Sequence, residues 1–178
     1  MRYLAVILVV ATVAASTAFA QQIASPTCRP LSDVTADTTA RDIASLTRSC
    51  VDQGDPRTAI QLYLTYSTYI LFDQQRVKDE SAHLIVGELN SWILTGYDFN
   101  QMKNIKVWVD KLRDPDSAYL KETCAGVLAL GPPTYRPDYM IKRGMQPRKT
   151  DDDWRTRNFD PDFAWDHAVH GLNPCPRP

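Results

Sequence analysis

Histidine is scarce in this sequence, with three in 178 residues, and there are only four cysteines. There is no Cys-x-x-Cys pair, no His-Glu-x-x-His and no histidine at ligand spacing from a cysteine, which argues against a zinc site. The seven glycines are too scattered to form a phosphate-cradling loop, and no Gly-x-Ser-x-Gly elbow occurs. Neither sign of charge is in excess. The formal net charge is −1, whereas nucleic-acid binders carry a clear basic surplus. Long apolar runs are confined to the first residues. The stretch Thr58 to Phe72 has no charge but is interrupted by Gln61, Thr65, Ser67 and Thr68. It reads as a buried helix rather than a membrane span, which needs roughly 20 apolar residues. These absences leave no cofactor, no metal and no nucleic acid among the expectations.

The first twenty residues carry a clear signal. Met1-Arg2-Tyr3 is short and basic, Leu4 to Ala15 is nearly all apolar, and Ala18-Phe19-Ala20 is a small-x-small cleavage pattern. That is the layout of a secretory signal peptide cleaved after Ala20, which predicts a periplasmic location. The remaining stretch, 21–178, is long enough for one domain with its own core. An even number of cysteines in an exported chain implies two disulfides among Cys28, Cys50, Cys124 and Cys175. Three pairings are open. Cys28–Cys50 with Cys124–Cys175 is preferred, because each bond would tie a loose end to a helix.

Asp55-Pro56, Asp114-Pro115 and Asp160-Pro161 each place a capping carboxylate before a ring that pre-sets helical φ, so helices are expected to start near 56, 115 and 161. The other expected helices are 37–51, 76–94 and one beginning after Asp98, with apolar residues at helical spacing in each. In helix 76–94 the inward set is Val77, Leu84, Ile85, Val86, Leu89, Trp92 and Ile93. In the helix after Asp98 it is Phe99, Met102, Ile105, Val109 and Leu112. No strand-like alternation persists. The expectation is an all-α antiparallel helical bundle, or a short stack of helical hairpins, stapled by disulfides, with a long irregular segment (131–159) before the last helix.

That segment is the leading candidate for a binding surface. It holds Tyr135, Tyr139, Met140, Met145 and Trp154 among Arg136, Lys142, Arg143, Arg148, Arg155 and Arg157; Tyr, Trp and Arg are the residue types that dominate interface hot spots. The alternative is a segment wrapped on the bundle, with its rings turned inward and its charges solvated. Arg76, Asp79 and His83 form a polar strip on the expected helix 76–94. It could join the same surface, or supply a carboxylate–imidazole pair for hydrolysis, or simply be a solvated ion pair. The named partner-binding candidates are therefore Tyr135, Arg136, Tyr139, Met140, Arg143, Trp154, Arg76 and His83. His167 and His170 share a helical face with Asp162 and Asp166 nearby, a weak arrangement for a metal, and Asp151-Asp152-Asp153 reads as a solvated acidic turn.

Two stretches carry a resemblance: Phe72-Asp73-x-x-Arg76-Val77-x-Asp79-x-Ser81-Ala82-His83 and Leu130-Gly131-Pro132-Pro133-x-Tyr135-x-Pro137-x-Tyr139-Met140-Ile141. Over residues 60–145 the chain resembles a group of small exported helical proteins of Gram-negative bacteria with no assigned chemistry. In size, leader and disulfides it also resembles, in architecture only, the periplasmic immunity proteins that neutralise toxins of type VI secretion. That likeness implies a protein that binds another protein, a secreted toxin or effector, and is not an enzyme. A helical-repeat scaffold, suggested by Ala59-x-x-Leu62-Tyr63, and a hydrolase using Asp79 and His83 are the competing expectations. Uneven helix spacing speaks against the first of these.

Overall fold

The computed structural model describes residues 26–146, 150 and 153–177. The expected leader (1–20), Arg148 and the acidic pair Asp151-Asp152 lie outside them. The helices are α1 (Ala40–Asp52), α2 (Pro56–Arg76), α3 (Leu84–Leu94), α4 (Phe99–Arg113), α5 (Ala118–Leu130), α6 (Asp138–Ile141) and α7 (Pro161–Asp166). The described residues contain no strand; an isolated antiparallel bridge joins Val77 to Arg155. None of these helices is long and apolar enough to cross a membrane.

α2 is the central rod. Asp55 caps it by accepting a hydrogen bond from the Thr58 amide, and Pro56 occupies its first position. Ala59, Leu62, Tyr66 and Tyr69 are each wholly buried, so α2 packs on most of its circumference. α1 lies along it through Ile43, Ala44, Leu46 and Cys50; it begins at Ala40 rather than near 37, because Thr39 provides the cap. A second, smaller cluster of Phe72, Ala164 and Ala168 sits beneath α7, where Asp160 and Pro161 open the helix as expected. The two disulfides are Cys28–Cys50, which ties the N-terminal segment to α1, and Cys124–Cys175, which ties the C-terminal segment to α5. Both are the preferred pairings, and they are compatible with an oxidising exported location.

Three helix expectations need correction. The expected helix 76–94 does not exist as one element. α2 runs on to Arg76, the backbone then leaves the helix over 77–79, and a 3-10 turn at Glu80–His83 leads into α3. The cause is a competing set of hydrogen bonds. The Thr156 amide donates to the Arg76 carbonyl, and the Lys78 amide donates to the Trp154 carbonyl. The Asp79 side chain caps the new turn at the Ser81 amide. α3 is therefore peripheral: Leu84 and Trp92 are 68% and 44% exposed, and only Ile85, Leu89 and Ile93 are buried. α4 likewise buries Ile105 and Leu112 but exposes Phe99 and Met102. α5 starts at Ala118, with Ser117 as its cap. Asp114 instead folds a turn, accepting from the Asp116 amide through its side chain and from the Ser117 amide through its carbonyl.

Candidate functional site

The two stretches that carry the sequence resemblance meet at one buried carboxylate. Asp73, in the last turns of α2, is fully buried. Its Oδ1 accepts from Arg76 Nε at 2.8 Å, and Arg76 Nη2 lies 2.6 Å away. Its Oδ2 accepts from the hydroxyls of Tyr135 at 2.8 Å and Tyr139 at 2.6 Å. The Tyr135 oxygen in turn accepts from the Ala40 amide at 2.9 Å, satisfying one of the unpaired donors at the start of α1. The Arg76 guanidinium stacks over the rings of Phe72 and Tyr135. Burial pushes the Asp73 carboxyl up, against the pull of Arg76 and the two tyrosines. Burial and the neighbouring Asp73 charge push both tyrosines well above their ordinary range. The hub locks the segment 131–143 onto α1 and α2.

A second clasp holds the next few residues of the segment. Asp79 Oδ1 accepts from the Ser81 amide and hydroxyl, and Oδ2 accepts from the Gln146 amide at 2.9 Å. The Ser81 oxygen accepts from the Met145 amide at 2.8 Å. A Cβ added at Gly144 would lie 2.3 Å from Asp79 Oδ2, so the chain can approach this carboxylate only because that residue is glycine. Partial burial works against ionisation of Asp79, but the hydrogen bonds from Ser81 and Gln146 hold its carboxyl below the usual range. His83 Nε2 lies 2.9 Å from the Val77 carbonyl. A carbonyl can only accept, so that nitrogen carries the proton. The expected strip of Arg76, Asp79 and His83 is therefore not a helix face. Arg76 is turned inward and the other two fasten a corner.

The named binding candidates divide in the same way. Met140 is fully buried, Trp154 and Arg76 are 7% and 6% exposed, and the hydroxyls of Tyr135 and Tyr139 point at Asp73. All five are turned inward, as the inward-docked alternative describes. Arg136 is exposed and pairs with Asp138. Arg143 is exposed and pairs with Glu88 of α3. At the other end of the molecule, His167 stacks on Phe163, and His170 Nδ1 lies 3.0 Å from the Cys175 carbonyl.

Holding Arg143 against α3 closes one side of a cleft of about 510 Å³, lined by Arg41, Ser45, Ile85, Glu88, Leu89, Trp92 and Arg143. Ile85 and Leu89 form its floor and the half-exposed Trp92 one wall. Arg41 pairs with no carboxylate among the described residues. It also sits in the first turn of α1, where the helix dipole disfavours a cation, so an incoming anion would relieve it. Sequence reasoning missed Arg41 and placed Trp92 inward. The signal for Arg41 was a lone cation two residues after a helix cap. Asp73 was also visible, as a single Asp–Arg pair three apart at the end of an uncharged helix. Comparison with family models, with curated proteins and with solved structures finds no match to this chain.

Proposed function

We propose that this chain is an exported protein-binding module, an immunity or inhibitor protein that neutralises a secreted toxin by occluding it. The observation that supports this reading is the α1–α3 cleft. It combines an unpaired guanidinium, an exposed tryptophan and an apolar floor, the residue types and the shape that anchor protein interfaces. The partner chemistry that fits is an acidic side chain beside an apolar one. The acid would meet Arg41, and the apolar group would rest on Trp92 and Leu89. The Asp73 hub and the Asp79 clasp anchor the backbone on both sides of Arg143, and pre-ordering of that kind lowers the entropy lost on binding.

The test is co-expression of the mature protein in the periplasm with the product of its neighbouring gene. Protection of the cell and co-purification are expected for the unaltered protein. Arg41→Glu with Trp92→Ala should abolish both while leaving the circular dichroism spectrum unchanged, since Arg41 is exposed and Trp92 half-exposed. If the double variant protects and co-purifies like the parent, the cleft is not the interface. If the parent does neither, the immunity reading falls.

A further inference from the structure

A separate concavity lies on the other side of α1 and α3. One cavity of about 240 Å³ is lined by Val51, Ile60, Tyr63, Ile93, Tyr97 and Val109, among others. A neighbouring one of about 470 Å³ runs beneath α4 toward Leu172 and Asn173. Ile60, Tyr63, Val109 and Arg113 line both, so the two cavities adjoin along a groove flanked by α2 and α4. Its walls are mostly aliphatic and aromatic, and an exposed leucine marks each end: Leu94 is 53% and Leu172 56% exposed.

One charged side chain breaks this apolar run. Arg113, exposed where the two cavities join, has no carboxylate or other hydrogen-bond partner among the described residues. Apolar walls with a cation between the cavities that has no partner among the described residues suit a straight alkyl chain ending in an anion.

We propose that the groove between α2 and α4 binds a single-chain carboxylate of the fatty-acid class, with the alkyl chain along Ile60, Tyr63 and Val109 and the carboxylate at Arg113. This does not depend on the protein-binding reading, because it uses a different face.

The test is titration of the oxidised mature protein with straight-chain carboxylates from octanoate to dodecanoate, followed by calorimetry. One molecule should bind per chain, with affinity rising about threefold to fourfold per added methylene until the groove is filled. Arg113→Gln should weaken dodecanoate at least about tenfold, the scale of one lost charge-assisted hydrogen bond, and should leave the circular dichroism spectrum unchanged. Val109→Trp should fill the junction and abolish binding; if that variant fails to fold, Arg113→Gln alone decides. Dodecylammonium should bind more weakly than dodecanoate by a similar factor. The proposal is overturned if no chain length binds, if Arg113→Gln binds dodecanoate as well as the parent does, if dodecylammonium binds equally well, or if the protein associates only with phosphatidylglycerol vesicles and not with the free acids.

Discussion

Replacing Asp73 by Asn keeps the shape of the side chain and removes its charge. Arg76 is then buried without a counter-ion, and the amide N–H₂, which cannot accept, faces either both tyrosine hydroxyls or Arg76. Breaking a buried pair from one side costs about 3–5 kcal/mol, so Asp73→Asn should lower the urea midpoint sharply. Asp110→Asn, which removes an exposed partner of Lys106, should change the unfolding free energy by less than about 1 kcal/mol. A second residue-scale expectation concerns acid. The folded protein holds the Asp79 carboxyl below its ordinary value. The stabilisation is therefore present above the ordinary carboxyl pKa, roughly 4, and is lost as pH falls through the lower folded value. Below that range the amides of Gln146 and Met145 should lose hydrogen-exchange protection while those in α2 keep theirs; equal protection of Gln146 at both ends of the range would mean that the Asp79 charge does not hold this corner.

The elements show where local pattern and tertiary demand part company. Helix starts at Pro56, Pro161 and Asp98 follow from a cap and its first turn, because those interactions are contained within four residues; Asp98 and Gln101 even form a reciprocal pair. The expected start at Pro115 obeys the same local rule, yet Asp114 spends its side chain on a turn and Ser117 caps α5 instead. Ser117→Ala should therefore cost about 1 kcal/mol, measured by chemical denaturation; a loss near zero would return the helix start to Pro115. The break at Val77 has a weak local signature, the Asp79 cap at Ser81, set against good helical periodicity over residues 76–94. It arises because the backbone at 76–78 pairs with 154–156, more than seventy positions away. The exposed faces of α3 and α4 were misjudged for a related reason: periodicity marks an apolar stripe, but does not say whether a neighbour covers it.

At the scale of the whole molecule, the disulfides and the Asp73 hub do the same work from different ends. Cys28–Cys50 and Cys124–Cys175 staple both termini to the bundle, while Asp73 staples its middle segment. Closing loops of this size contributes about 3–4 kcal/mol each in the entropic model. The variant Cys124→Ser with Cys175→Ser should accordingly lose stability of that order in denaturant. It should also release the C-terminal segment to limited proteolysis before α2 is cut, because Asn173 otherwise bonds to Thr68 and Ala168; simultaneous cleavage of both regions would mean that the staple is not local.

By itself the sequence determined the helical class, the burial of α2, the presence of two disulfides and the caps at Asp55, Asp98 and Asp160. All of these rest on composition, periodicity or interactions within a few residues. Only the tertiary structure decided that the tyrosines of 131–143 face a buried carboxylate, that the chain breaks at Val77, and that Arg41, Trp92 and Arg143 share a cleft. Each of those depends on which distant group satisfies a donor or covers a side chain, and a one-dimensional pattern carries no record of that choice.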